Sequence, residues 1–406
     1  MQYRKNSKNG DELSAIGFGC MRFPKAMSGI DMAETEREIL HAVENGVNYF
    51  DTAYIYPGSE AALGEILYKN NLRDKVKIAT KLPHYLIKNT KSIEDYFNQE
   101  LERLKTDHVD YYLMHMLSDK GVWERLCDLG IKEWIEEKKA QGKIHNIGFS
   151  YHGNTETFIE LLDAYDWEFC QIQYNYMDEH SQAGRKGLMH AAEKGIPVII
   201  MEPLRGGRLV NNLPKEALEA FDNAKVKRSP AEWGLKWLFD QPQVTVVLSG
   251  MNSMEMLDEN IRIASETLPN TLKEEDFAMY EKVKEALNLK IKVGCTGCRY
   301  CMPCPQGVDI PGAFRAYNVK YTDGYFTGMR EYIMCTAMRA KPSNASLCIG
   351  CGKCEKHCPQ GIEIRKELKN VVKNMETPVF KAVRFAVTKI GMFRGKEAKE
   401  KAKEKK

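Results

Sequence analysis

Four ionisable side chains follow short apolar segments in the first third of the chain, namely Asp51, Tyr56, Lys81 and His115. A carboxylate, a phenol, an amine and an imidazole can together move a proton when the fold brings them within hydrogen-bonding reach. Each has a structural alternative when taken singly, such as a turn cap for Asp51 or a core position for His115. Their position after three successive apolar segments favours a proton-transfer site.

The combination suits the reduction of a carbonyl group. Hydride transfer to a carbonyl carbon leaves negative charge on the oxygen, which then requires a proton. The pKa of a free tyrosine is about 10, and a neighbouring ammonium such as that of Lys81 lowers this pKa by favouring the phenolate. Asp51 would hold that ammonium in place, and His115 would orient the carbonyl oxygen.

Eight apolar segments alternate with helical patterns and are expected to position these side chains. They cover residues 15–20, 47–51, 76–80, 110–115, 144–150, 169–174, 197–201 and 244–249. Most are short and β-branched or aromatic, as buried parallel strands are, so the alternation predicts a closed α/β (β/α)8 TIM barrel with its active site at the carboxyl ends of the strands. A doubly wound open sheet is the alternative, but no glycine-rich fingerprint follows the first segment. Among the helices, residues 123–141 are predicted as one helix, and Ser92 as the N-cap of another.

At this point the sequence resembles the aldo-keto reductase family over roughly residues 10–265. The motifs that carry the resemblance are Gly17-Phe18-Gly19, Asp51-Thr52-Ala53 followed by Tyr56, Lys81 after the third strand and His115 after the fourth. The resemblance implies that Tyr56 is the general acid and that the other three residues complete a catalytic tetrad.

The resemblance also implies a seat for a nicotinamide dinucleotide, although the match is less complete. Its expected residues are Ser150, Gln171, Met201, Ser249, Glu259 and Asn260. Met201 stands where the family usually has an aromatic side chain, and the segment after the eighth strand has no cation before Arg262. A 2′-phosphate gains little without Lys or Arg, so NAD(H) is favoured over NADP(H), with a flavin in the same seat as an alternative.

Eight of the twelve cysteines form two tight runs after residue 290. The first run is Cys295, Cys298, Cys301 and Cys304, and the second is Cys348, Cys351, Cys354 and Cys358. The second run has the C-x2-C-x2-C-x3-C-P spacing of bacterial ferredoxins, which favours two 4Fe–4S clusters over zinc. In that pattern the fourth cysteine serves the other cluster, so Cys358 is assigned to the first run and Cys304 to the second.

The segment between the two runs has a helical pattern, so this part resembles the helical dicluster ferredoxins. The predicted domains are a barrel (1–270), a helical linker (271–293), a cluster domain (294–370) and a basic amphipathic tail (371–406). In the aldo-keto reductase family, the segment after the eighth strand and its helices folds over the barrel mouth. The cluster domain is therefore expected near the C-terminal rim, with the side of the barrel as the alternative.

Composition excludes several classes of protein. Hydrophobic residues make up 43% and charged residues 28% of 406 residues, which is typical of a globular protein with a sizeable core. The formal charge of +3 and the absence of a basic stripe argue against nucleic acid binding. No apolar run suits a membrane span and no signal peptide is visible at the N-terminus, so a cytoplasmic location is expected.

These patterns together predict an iron–sulfur oxidoreductase that acts on a small carbonyl or alcohol and exchanges electrons with an external carrier or redox partner protein. The alternative is an electron-transfer protein whose barrel is a scaffold, a docking module or a flavin-binding module. The intact set of Asp51, Tyr56, Lys81 and His115 favours the first hypothesis, whereas Met201 favours the second.

Overall fold

A closed barrel of eight parallel strands forms the first part of the computed structural model. The model describes residues 1–390 apart from residues 28, 212, 290, 296, 298, 340 and 359. The barrel strands are β1 (Ile16–Gly19), β2 (Tyr49–Asp51), β3 (Lys77–Leu82), β4 (Val109–Leu117), β5 (Ile144–Tyr151), β6 (Phe169–Gln173), β7 (Val198–Met201) and β8 (Val244–Ser249). Each pairs with the next, and β8 closes the barrel against β1, as the sequence predicts.

Helices surround the barrel in the expected alternation. They are α1 (Met32–Glu44), α2 (Ser59–Lys69), α3 (Thr90–Leu104), α4 (Lys120–Cys127), α5 (Ile131–Ala140), α6 (Thr155–Leu162), α7 (Gly184–Glu193), α8 (Arg208–Asn211), α9 (Lys215–Asp222), α10 (Pro230–Phe239), α11 (Met254–Glu266) and α12 (Glu274–Asn288). A hairpin of Tyr3–Lys5 and Glu12–Ser14 precedes β1, and a smaller one of Lys25–Ala26 and Gly29–Ile30 follows it. The first hairpin contributes Leu13 to the apolar core inside the barrel.

Two helical details differ from the sequence-based expectation. The helix predicted over residues 123–141 is two helices, because Gly130 adopts a left-handed conformation with φ 80° between α4 and α5. The N-cap of α3 is Asn89. Ser92 is instead the third helical residue of a capping box, and its side chain accepts a hydrogen bond from the Asn89 backbone N–H.

A second apolar core holds the C-terminal part together. Its helices are α13 (Ile310–Thr322), α14 (Tyr325–Tyr332), α15 (Ile364–Met375) and α16 (Pro378–Ile390), and a π-helical turn (Ile333–Ala337) follows α14. Phe314, Tyr332 and Phe380 are buried in this core, so α16 packs on the domain. By contrast α12, predicted within a linker, packs on the barrel, where the Tyr280 hydroxyl donates to the Trp233 carbonyl at 2.7 Å.

Residues 391–406 of the predicted basic tail lie outside the described residues. Within the described part of the chain, no helix combines the length and apolar character needed to cross a bilayer.

Candidate active site and cysteine seats

A buried ion pair lies at the carboxyl ends of β2 and β3. The Lys81 Nζ atom donates to Asp51 Oδ1 at 2.7 Å and to the Thr52 carbonyl at 2.5 Å, and neither charged side chain is more than 5% exposed. Burial alone would lower the pKa of Lys81, but the interactions with its neighbours, of which that with Asp51 is the strongest, together more than offset this, and the pKa is raised. Lys81 is therefore an ammonium at neutral pH.

Tyr56 and His115 lie beside this pair. The Lys81 Nζ atom is 5.2 Å from the centre of the Tyr56 ring, and the His115 ring meets that ring edge-on at 6.1 Å. Burial raises the pKa of Tyr56 by more than Lys81 lowers it, so the phenol is protonated at neutral pH. Burial and the Lys81 charge lower the pKa of His115, which leaves the imidazole neutral. The four predicted residues thus converge at one end of the barrel.

The predicted nicotinamide residues occupy neighbouring strand ends. Ser150 on β5 lies beside Gln171 on β6 in the strand register, and the Ser150 Oγ atom accepts from the Met116 backbone N–H at 2.8 Å. The Gln171 Nε2 atom lies 3.7 Å from the Met201 sulfur at the end of β7, whereas its buried Oε1 atom has no hydrogen-bond partner among the described residues. A buried amide oxygen without a donor fits a ligand that carries an N–H group, such as a carboxamide.

The residues predicted for the adenosine end lie after β8. Asn260 Nδ2 on α11 donates to the Ser249 Oγ atom at 3.0 Å, which joins the end of the strand to the helix. Glu259 is directed elsewhere, because its carboxylate accepts from the Ser229 hydroxyl at 2.6 Å. Ser249 and Asn260 are therefore together, and Glu259 is tied to the N-terminus of α10.

Arg22 is a candidate binding residue that the sequence analysis missed. The segment after β8 carries no nearby cation, but the stem of Arg22 crosses it, since a Cβ atom added at Gly250 would lie 2.8 Å from Arg22 Cδ. The Arg22 Nη1 atom also donates to the Gly206 carbonyl in the loop after β7, at 3.2 Å. The exposed Arg22 side chain thus contacts the loop after β8 with its stem and the loop after β7 with its guanidinium. Its only sequence signal is its position three residues after β1.

The C-terminal domain packs on the C-terminal rim, which confirms the expected placement. In the loop after β6, Asp178 accepts two hydrogen bonds from Arg205, at 2.7 and 2.8 Å, and lies 3.5 Å from Arg315 of α13. Glu202 directly follows Met201 and pairs with Arg330 of α14 at 2.9 Å. The domain therefore touches the loops beside the predicted nicotinamide seat.

The cysteine runs surround two cavities within this domain. A cavity of about 310 Å³ is lined by Cys304, Cys348, Cys351 and Cys354, and a smaller one of about 20 Å³ by Cys295, Cys301 and Cys358. Cys301 also reaches the larger cavity, and Cys298 lies outside the described residues. No disulfide joins the described cysteines, and several thiols that line a common cavity can serve as ligands of iron or zinc. The crossed arrangement expected from the ferredoxin spacing thus fits the chain path.

Family models match both parts of the chain. Residues 15–285 match the aldo/keto reductase family, and residues 294–363 match the 4Fe–4S dicluster domain. Among similar proteins, the oxidoreductase YrpG of Bacillus subtilis is 25% identical over 64% of this chain and 90% of its own length. An aldo-keto reductase of Mycolicibacterium vanbaalenii is 29% identical over 57% of this chain and 78% of its own length.

Solved structures share the barrel. The holo form of aldo-keto reductase AKR11C1 from Bacillus halodurans has a TM-score of 0.58 at 24% identity, covering 70% of this chain and 96% of that chain. An aldo-keto reductase from Klebsiella pneumoniae, solved in complex with NADPH, has a TM-score of 0.58 at 21% identity, covering 70% and 95%. At these identities the likeness concerns the fold.

Proposed function

Because the chain belongs to the aldo/keto reductase family and continues into a 4Fe–4S dicluster domain, we propose that its barrel interconverts a small carbonyl compound and the matching alcohol. The observation that carries this proposal is the Lys81 ammonium, held by Asp51 at 2.7 Å and placed 5.2 Å from the Tyr56 ring. In the reductive direction, one carbonyl, one reduced dinucleotide and one proton give one alcohol and one oxidised dinucleotide.

The proton is supplied by Tyr56 in this mechanism. The reduced dinucleotide, when bound, supplies the hydride, and the Tyr56 phenol gives its proton to the carbonyl oxygen as charge develops there. Lys81 stabilises the resulting phenolate, and Asp51 keeps the ammonium oriented. His115 is buried, and its Nδ1 atom has no partner among the described residues, so the neutral imidazole is free to orient the carbonyl oxygen.

The dinucleotide seat is assigned to the ends of β5 to β8. Ser150 and Gln171 would hold the carboxamide, which is supported by the unpartnered Gln171 Oε1 atom, and Met201 would pack on the ring. Ser249 and Asn260 would lie under the adenosine end, whereas the carboxylate of Glu259 is already held by Ser229. NADH remains favoured over NADPH, because the segment after β8 itself has no cation before Arg262. The aldo-keto reductase from Klebsiella pneumoniae was solved in complex with NADPH, so the binding of NADPH should be measured beside that of NADH.

Two 4Fe–4S clusters are assigned to the C-terminal domain, where they would pass single electrons to or from an external carrier. One would be held by Cys295, Cys298, Cys301 and Cys358, and the other by Cys304, Cys348, Cys351 and Cys354. The assignment is supported by the two cavities that seven of these cysteines line, Cys298 lying outside the described residues. Anaerobically purified protein is expected to contain about eight irons and eight acid-labile sulfides per chain. Zinc in place of iron would contradict the assignment.

The test of the barrel's function is a comparison of Tyr56→Phe with Tyr54→Phe. Tyr56→Phe removes only the proton donor, so NAD(P)H-dependent carbonyl reduction should fall by about 10²-fold or more, while the dinucleotide still quenches protein fluorescence. Tyr54 lies in the same loop and its hydroxyl donates to Gln99 at 3.0 Å, which makes Tyr54→Phe the matched control.

Equal activity in both variants would contradict the role of Tyr56. Failure of the unaltered protein to bind either dinucleotide would favour the alternative of an electron-transfer protein with the barrel as a scaffold.

A further inference from the structure

The two cysteine seats face in different directions. The inner seat is lined by Cys295, Cys301 and Cys358, and its first loop contacts the barrel. Arg299 in its first loop forms an ion pair with Glu156 at the start of α6, and a Cβ atom at Gly297 would lie 3.2 Å from the His180 carbonyl after β6. The Cys295 loop is therefore held between the barrel and the rest of the domain.

The outer seat, defined by Cys304, Cys348, Cys351 and Cys354, opens to solvent. Cys351 is exposed, whereas the other described cysteines of the two runs are only partly exposed. Two large apolar side chains line the same cavity and are also exposed, Tyr300 by 69% and Ile349 by 66%. Apolar side chains exposed together beside a functional cavity mark a surface that another molecule covers.

Cations surround this apolar patch. Lys353 and Arg365 line the cavity, and Lys356 lies in the adjoining turn Glu355–His357. Arg365 is neutralised by Glu355 at 2.8 Å, but Lys353 and Lys356 are exposed and form no ion pair with another described residue. The surrounding segment, residues 341–375, contains seven Lys or Arg and three Glu residues. Lys353 and Lys356 thus place two positive charges beside the patch, where an acidic partner would meet them.

We infer that this outer face, consisting of Tyr300, Ile349, Lys353 and Lys356, is the docking surface for a small acidic protein that carries one electron. The inference rests on the proposed function in one respect, namely that the outer cysteines hold a 4Fe–4S cluster. One electron passes from the reduced carrier to that cluster, so the carrier is oxidised by one electron and the cluster reduced by one, without transfer of a proton or an atom. The lysines steer the encounter, and the apolar pair excludes water at the contact.

The test compares two double charge reversals in the holoprotein. Lys353→Glu with Lys356→Glu reverses the proposed surface, and Lys91→Glu with Lys132→Glu reverses two exposed lysines at neighbouring helix ends on the barrel. The probe is an acidic 2[4Fe–4S]-type ferredoxin, whose Kd is measured by calorimetry and whose electron transfer is followed by stopped flow. At low salt, the first variant should bind at least about tenfold more weakly and accept electrons at least about tenfold more slowly, with no change in the control.

Iron content and reduction by methyl viologen separate this inference from the proposed function. The docking surface alone is overturned by one result: the Lys353→Glu, Lys356→Glu variant retains its iron and is reduced normally by methyl viologen, yet binds ferredoxin as tightly as the control does. Unaltered protein that lacks iron overturns the cluster assignment instead.

A second measurement uses the unaltered protein, because Lys353 lies between two cluster cysteines and its substitution can disturb the cluster. The association of the unaltered protein with ferredoxin should weaken steeply as the salt concentration rises. Association that is independent of salt also overturns the inference.

Discussion

Lys81 acts on Tyr56 through its charge rather than through a hydrogen bond, since its ammonium contacts Asp51 and the Thr52 carbonyl. Burial raises the pKa of Tyr56, and Lys81 opposes that rise. In the proposed reaction the phenol is therefore the acid for reduction at neutral pH, whereas alcohol oxidation would need the phenolate. This difference gives the two directions opposite dependences on pH.

Replacement of Lys81 by Met should move those pH profiles in a defined direction. Without the cation the pKa of Tyr56 rises further, so the alkaline loss of reduction should shift to higher pH and alcohol oxidation should slow by about 10²-fold or more. The measurement is kcat/KM in both directions across the neutral and alkaline range. The double variant with Asp51→Asn is the control, because it leaves no unpaired buried charge. An alkaline limb that does not move would contradict the electrostatic role.

Arg22 should bind a phosphate that NADH and NADPH share. Its guanidinium lies at Gly206 and its stem at Gly250, at the start of the segment after β8, whereas Glu259 and Asn260 lie further along the chain on α11. We therefore expect Arg22→Ala to weaken both dinucleotides by about tenfold, the scale of one charge-assisted hydrogen bond. Arg22→Lys keeps the charge but loses the planar guanidinium, so its dinucleotide affinity should lie between those of the unaltered protein and of Arg22→Ala. Fluorescence titration checks this, and a loss confined to NADPH would place Arg22 at the 2′-phosphate instead.

At the level of elements, the sequence predicts secondary structure best where the local residue pattern of one segment is sufficient. All eight strands were predicted because each is a short apolar run between turn residues, and the strand ends then placed Lys81 and His115 on one rim. The break at Gly130 was missed because the apolar pattern continues across it. Arg22 was missed for a different reason: its neighbours Gly206 and Gly250 are distant in the chain, and only the closed barrel brings them together.

The contact of α2 with the end of α3 depends on Gly64. A Cβ atom there would lie 2.5 Å from the Arg103 carbonyl oxygen and 2.6 Å from Leu104 Cα, both of them backbone atoms. Helix propensity alone would make Gly64→Ala stabilising by about 1 kcal/mol. We expect the opposite sign, a loss of about 1–3 kcal/mol, because the two helices must move apart. Denaturant unfolding of the anaerobic protein measures this, and a stabilised variant would contradict the close approach.

At the scale of the whole molecule, Asp178 joins the two parts. It is 1% exposed, and Arg205 of the barrel and Arg315 of the cluster domain approach the same carboxylate. Burial raises the pKa of Asp178, but the two guanidinium groups more than offset this and hold it below its usual value. Since the folded-state pKa is depressed, this contribution to stability is complete above about pH 4 and is lost as the pH falls through the folded-state pKa.

Neutralising Asp178 should therefore loosen the cluster domain from the barrel. Asp178→Asn removes the carboxylate that the two guanidinium groups share, although Arg315 keeps Glu331 at 2.6 Å and Arg205 keeps Asp323 at 3.7 Å. The expected cost is therefore that of lost charge-assisted hydrogen bonds, about 1.5–3 kcal/mol. The matched control is Arg330→Gln, because the more exposed pair of Arg330 with Glu202 contributes at most about 1 kcal/mol. Hydrogen exchange on the anaerobic protein should show faster exchange in the β6 loop and α13 for Asp178→Asn alone, with the iron content retained. Equal protection in both variants would mean that apolar packing, rather than this buried charge, holds the cluster domain on the rim.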